Sequence, residues 1–254
     1  MLPNRNFRIG RLNFNLGTKQ EVVAFIDSLP SNTDDSRYFI FWGGPMTVDA
    51  YTNVKFQEVE KKATLCLADG QSIIYVAKRS GMKNIERCAG PDIMDLILRN
   101  GLLKNKTHYF YGATEDTLIK LKIELENKYP GINIVGTYSP PFRDLTEQED
   151  KEIISTINSI RPDYIWVALG APKQEIWCMD HCKYIKGANI FAVGAAFNFY
   201  AGTVKRAPLW IQKFGFEWLY RICKEPRHLW KRYFFSAFKF VKLAKNNVEV
   251  LEKR

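Results

Sequence analysis

Three places in this 254-residue sequence put side chains that could bind or activate a substrate beside small residues that would let one approach. The first is Asp69–Gly70, directly after the apolar run Leu65–Ala68. A carboxylate at a strand end, followed by glycine, can take a proton or grip a hydroxyl, although Asp-Gly is also an ordinary turn. The second is Gly112, where a turn opens a helix whose first amides could hold a phosphate. The third is Gly170–Glu175 (GAPKQE). Its small residues bring backbone close to a ligand, Lys173 offers charge, and Gln174 and Glu175 offer directional hydrogen bonds. Nothing in a turn demands Lys-Gln-Glu, which favours a functional reading. Asn198 is the lone polar residue of the apolar stretch Ile190–Tyr200, and a buried amide must be hydrogen-bonded, either structurally or to a ligand. Lys205–Arg206 precedes Pro208 at a helix start, where cations oppose the helix dipole; phosphate binding would explain them.

Other chemistries find no footing. There is no G-x-G-x-x-G and no G-x-x-x-x-G-K-[ST], so neither a dinucleotide nor a Walker-type phosphate loop is supported. The three histidines, His108, His181 and His228, join no Ser/His/Asp arrangement and no acid-rich motif, and there is no D-x-D triplet. The five cysteines are odd in number and scattered, which argues against a disulfide framework. Cys178, His181 and Cys182 lie on one amphipathic helix without a second matching pair, so idle thiols are the better reading than a metal site. No metal and no cofactor is expected.

Elements that must position these residues alternate along the chain. Phe39–Trp42, Thr64–Leu67, Thr107–Tyr111, Ile132–Val135, Tyr164–Leu169 and Ile190–Val193 read as strands. Between them, Val48–Lys61, Pro91–Leu98 and Thr114–Lys128 read as helices, and Thr146–Glu149 is a capping box opening another through Ile160. Ile73–Lys78 fits either state. Strands without polar alternation, separated by helices, predict a parallel sheet covered on both faces. The expected class is α/β, a Rossmann-like, doubly wound, mostly parallel sheet, over residues 1–204.

Residues 205–254 form a second expected region, a basic amphipathic helical appendage. It holds 13 Lys/Arg and 4 Asp/Glu, a net of +9 out of +10 for the whole chain. Aromatic residues are interleaved with that charge. Trp230, Phe234, Ala237, Val241 and Ala244 follow a helical 3–4 spacing, and Lys231, Lys239, Lys242 and Lys245 take other faces. Cations with large rings suit an anionic membrane surface better than nucleic acid, because rings enter the headgroup boundary while Lys and Arg meet lipid phosphates. For Trp210–Tyr220, packing on the protein's own core is the preferred reading; for Trp230–Phe240 it is the membrane. An apolar tail face would equally serve a homo-oligomer. The start of the chain has no apolar leader core, and Ile190–Tyr200 is short of the roughly 20 residues that span a bilayer. A cytoplasmic protein, peripheral on the inner membrane face, is expected.

Longer motifs then become legible. VALGAPKQEIW (Val167–Trp177), VGAAFNF (Val193–Phe199), AGTVKRAP (Ala201–Pro208) and EWLYRICKEPR (Glu217–Arg227) resemble signatures of the WecG/TagA/CpsF glycosyltransferase family, glycosyltransferase family 26. Upstream, LADG (Leu67–Gly70), ERCAGPD (Glu86–Asp92) and YPGINIVG (Tyr129–Gly136) match in order and spacing. The resemblance runs from about Phe39 to Tyr233. It implies transfer of a sugar from a UDP-sugar to a polyprenyl-diphosphate-linked sugar, with inversion and without a metal, for teichoic acid, capsule or exopolysaccharide. Diphosphate would then be neutralised by Arg, Lys and amides. By motif, Asp69 is the base, Arg87 contacts phosphate or acceptor, Gln174 contacts the donor, and Arg206, Arg221 and Arg227 belong to an appendage that completes the site. Two places depart from the family pattern. Its Thr and Asn before the Asp-Gly motif are Phe41 and Gly43 here, and its Phe-Asp-Phe is Phe197-Asn-Phe199. Those departures motivate an alternative, a non-catalytic membrane-attached partner in a polysaccharide assembly complex.

Overall fold

The structure, a computed structural model, describes residues 5–30, 33–224 and 226–252, leaving out the side chains of residues 5, 213, 221, 224, 226–234, 246 and 252. Among these residues nine strands and twelve helices, numbered in chain order, fall into two compact units, each assembled from separated stretches of chain. The sheet structure is mostly parallel, of the Rossmann-like α/β kind.

One unit comprises Val23–Ile40 and Gly90–Val204. Its strands are β3 (Arg37–Trp42, which runs on into the other unit), β5 (Thr107–Gly112), β6 (Asn133–Tyr138), β7 (Tyr164–Ala168) and β8 (Asn189–Ala192). They lie in the order β6-β5-β7-β8-β3, all pairs parallel. Every residue of β7 is buried, as a strand covered on both faces requires. Trp166 and Phe191 stack at 4.7 Å, and Phe39 stacks on Phe191 at the same distance, in the middle of this core. Around it run α1 (Lys19–Ser28, begun in the other unit), α5 (Gly90–Leu103), α6 (Glu115–Lys128), α7 (Glu147–Ile160), α8 (Lys173–His181) and α9 (Ala196–Tyr200). The capping box holds: Thr146 accepts from the Glu149 amide, and Glu149 accepts from the Thr146 amide.

The other unit gathers Met1–Val22, Phe41–Ala89 and Lys205–Arg254. It contains β1 (Arg5–Ile9), β2 (Leu12–Asn15), α2 (Gly44–Thr52), α3 (Val54–Lys62), β4 (Leu65–Ala68), α4 (Gln71–Arg79), α10 (Leu209–Lys213), α11 (Glu217–Lys224), α12 (Pro226–Asn246) and β9 (Val248–Glu252). The ambiguous segment Ile73–Lys78 is therefore helical. The single helix expected over Val48–Lys61 is two, broken at Asn53, whose side chain caps α3 by accepting from the Lys55 amide. β1 and β2 form an antiparallel hairpin across Gly10–Arg11, with Gly10 left-handed at φ +62°. Phe7, Ile9, Leu12 and Phe14 alternate inward and are fully buried. β2 pairs parallel with β4, and β9 pairs antiparallel with β1 over Arg5–Ile9 and Val248–Glu252.

The tail divides differently from the expectation. Leu209, Trp210, Phe214 and Phe216 are exposed, Trp210 to 63%, instead of packing on the core. α10 is too short, at five residues, to bury both of its faces. In α12 the side chains of Phe240, Leu243 and Ala244 are buried and the helix packs on α2, while Phe235, Phe238 and Val241 on its other face are exposed. Trp230 and Phe234, part of the expected membrane face, lie outside the described side chains. Among the described residues no helix is long and apolar enough to cross a membrane.

Candidate active site

Asp69 stands where β4 ends, and its amide donates to the carbonyl of Trp42 at the end of β3, 3.0 Å away. Gly70 follows because nothing larger fits: a Cβ there would stand 2.9 Å from the Gly43 Cα and 3.1 Å from the Gly44 nitrogen. The turns that open α2 and α4 are thus pressed backbone to backbone, which fixes where the Asp69 carboxylate starts. Gly43 is not under the same constraint, for a Cβ on it would meet nothing nearer than 3.7 Å. Phe41 is buried, its ring committed to the core.

Asp69, Arg87, Glu217 and Arg206 form one chain of charged contacts. Arg87, from the loop after α4, donates through Nη2 to Asp69 Oδ1 at 3.0 Å and through Nε to the Asp69 carbonyl. The same Nη2 lies 2.6 Å from Glu217 Oε2, an ion pair without in-line hydrogen-bond geometry. Arg206 Nε lies 3.4 Å from Glu217 Oε1. Desolvation pushes the Asp69 carboxyl above the usual aspartate range; Arg87 pulls it down, and Glu217 pushes it up again. Its side chain nonetheless keeps 36% of its surface, so it is recessed but reachable. Desolvation also disfavours the Arg87 charge, and the two carboxylates more than offset this. A reachable carboxylate with a raised proton affinity, beside fixed cations, can accept a proton from a hydroxyl and can coexist with a phosphate. The tail crowds the same place: a Cβ on Gly215 would stand 2.9 Å from Gln71 Cγ, and the Phe240 ring lies 3.7 Å from the Cβ position of Gly44.

The other predicted residues gather elsewhere, in the first-described unit. Gln174 and Glu175 open α8 and are buried at 4% and 2% exposure. Gln174 Nε2 donates to Glu175 Oε1 at 3.0 Å and to the Ala192 carbonyl at 3.1 Å, while its Oε1 finds no hydrogen-bond partner among the described residues. Gly194 gives this amide room, since a Cβ there would meet Gln174 Oε1 at 3.1 Å. Lys173 is exposed, and Gly170 has φ +78°. Behind Gln174, Trp177 is stacked between Tyr111 at 4.4 Å and His181 at 4.5 Å. The His181 ring bonds the Trp177 carbonyl and Asp150, and Cys178 is fully buried, so these residues of α8 serve to hold the helix. Gly112 is needed at the end of β5, where a Cβ would stand 2.5 Å from the Ala168 carbonyl oxygen. The helix it leads into is already capped by Thr114 and carries Glu115 and Asp116 in its first turn. Asn198 accepts from the Thr203 hydroxyl at 3.2 Å, and its carbonyl accepts from Val204, so it ties down its own loop.

Asp69, Arg87 and Arg206 therefore come together, and Gly170, Lys173, Gln174 and Glu175 share one turn. The side chains of Arg221 and Arg227 lie outside the described ones. Glu217 was missed as a site residue. Its signal was that it is the sole acidic residue between Lys205 and Lys224, in an otherwise basic tail.

Comparison with known proteins agrees with the motifs. Residues 7–251 match the glycosyl transferase WecG/TagA/CpsF family. N-acetylglucosaminyldiphosphoundecaprenol N-acetyl-beta-D-mannosaminyltransferase of Staphylococcus aureus strain MW2 is 28% identical over 222 residues, covering 87% of this chain and 84% of that protein. The protein of the same description from strain NCTC 8325 / PS 47 is similar to the same extent.

Proposed function

Because this chain belongs to the WecG/TagA/CpsF glycosyltransferase family, and is thereby a glycosyltransferase, we propose that it moves a sugar from a UDP-sugar to a polyprenyl-diphosphate-linked sugar in cell-surface polymer synthesis. The acceptor class follows its Staphylococcus aureus relatives, whose description names a diphosphoundecaprenol-linked N-acetylglucosamine. The observation that carries the reading is the Asp69–Arg87 pair, a reachable carboxylate with raised proton affinity held by a cation at a strand end.

In this mechanism Asp69 takes the proton of the acceptor hydroxyl as its oxygen attacks the anomeric carbon from the face opposite UDP. The bond from that carbon to the phosphate oxygen breaks, the configuration inverts, and UDP leaves with the electron pair. Arg87 and Arg206 supply positive charge for phosphate without a metal. Gln174, with an unused carbonyl oxygen, is suited to the donor. The tail is suited to a membrane contact: Leu209, Trp210, Phe214, Phe216, Phe235 and Phe238 are exposed apolar groups, and Lys239, Lys242 and Lys245 are exposed as well. Such a surface would lie on an anionic bilayer and bring the site to a lipid-linked acceptor.

The test is UDP release from a panel of UDP-sugars, with and without a synthetic polyprenyl-diphosphate-sugar. Release from one donor, only with acceptor, is expected. Asp69→Asn should lower turnover by about 10²–10⁴-fold, the range of a general base, with UDP binding retained. Full activity in that variant removes Asp69 from the mechanism.

A further inference from the structure

α11 opens on Glu217, whose side chain keeps only 12% of its surface. An acidic residue at a helix start is favourable in itself. This one, however, is turned inward and gripped from two sides, by Arg87 at 2.6 Å and Arg206 at 3.4 Å. Arg87 Nη2 is the nitrogen that also donates to Asp69. One guanidinium plane thus spans two carboxylates and the Asp69 carbonyl, and these contacts together decide its orientation. A buried carboxylate needs such partners, and removing it leaves them misplaced.

We infer that Glu217 is a positioning residue for the transfer reaction: through Arg87 it sets the orientation and charge environment of Asp69. The inference rests on the reading of Asp69 as the base. Among the described side chains, the charged groups facing Asp69 are Arg87 and Arg206, which favour its ionised form, and Glu217, which opposes it.

Glu217→Gln in the full chain keeps the shape and removes the charge. Turnover should fall about tenfold or more, the scale of one charge-assisted contact. With a like charge gone, the acid limb of kcat/KM should move to lower pH. A loss of structure alone would not move that limb. The Asp69 carboxyl, followed by carbon-13 NMR in substrate-free protein, should titrate at lower pH in the variant.

Turnover by wild type, with the limb and the Asp69 titration unmoved in Glu217→Gln, overturns the inference and leaves the base assignment intact. A rise in kcat/KM also overturns it, and would mark Glu217 as a placeholder that the substrate's phosphate must displace. Silence of wild type toward every donor, with the Asp69 titration still moved, overturns the proposed function and leaves the coupling standing. If Glu217→Gln does not fold, Glu217→Asp carries the test. It keeps the charge but shortens its reach to Arg87, so turnover should fall; turnover at the wild-type level there overturns the inference.

Discussion

The cluster at Asp69 and the cluster at Gln174 are built on opposite principles. At Asp69 two carboxylates and two guanidiniums are drawn from three separated segments: a strand end, a loop and the tail. Asp69 remains reachable, and the charges around it act on its proton affinity. At Gln174 a neutral amide and an adjacent carboxylate come from consecutive residues of one helix start, buried and wedged by a stacked Trp177. The first arrangement tunes proton affinity; the second fixes direction. Here the charges are brought together by tertiary contacts, whereas the amide is aimed by its own helix.

The contrast can be broken most severely at Arg87. Arg87→Gln removes the largest influence holding the Asp69 proton affinity down. A carboxylate base acts ionised, so with Asp69 in the proposed role the acid limb of kcat/KM should move to higher pH, opposite to Glu217→Gln. Because one of the two carboxylates then loses its cation, turnover at neutral pH should fall about 10²-fold or more. A pH–rate profile checks both. Gln174→Ala should act differently. It should weaken donor binding about tenfold, with no movement of the acid limb, and lower stability by about 1–3 kcal/mol by stripping a donor from buried acceptors. Donor KM and a denaturant melt measure these. The smallest effect on the fold should come from Trp210→Ser with Phe214→Ser. Both side chains are exposed, so stability should change by no more than about 0.5 kcal/mol, while sedimentation with anionic vesicles should be reduced.

Much of this was readable in the chain. Tyr164–Leu169 and Ile190–Val193 are strands because unbroken apolar runs of that length suit a sheet covered on both faces. The Thr146 cap was legible because its chemistry is local. Asp69 stood out at the end of an apolar run. What escaped was set by contacts far apart in sequence. Glu217 sits where any helix would welcome an acid, so its isolation in a basic stretch marked it without revealing its inward turn. The exposure of Trp210 and Phe214 depended on the brevity of α10, which aromatic content does not reveal. β9 reads as five tail residues until β1 is beside it, although the alternation of Phe7, Ile9, Leu12 and Phe14 carries the period of a strand.

The pairing of β9 with β1 has a consequence for biogenesis. Residues 5–9 wait for residues 248–252, and Arg87 waits for Glu217, until those distant segments have been made. The interior stretch Gly90–Val204 holds the local helices and most of one sheet and is complete well before then. Because long-range pairings form slowly and local ones early, the charged constellation is among the later parts to assemble. A prematurely ended polypeptide would carry the Gln174 turn but no anchored α12 and no Glu217. An abortive product would thus lack part of the cation–carboxylate cluster around Asp69.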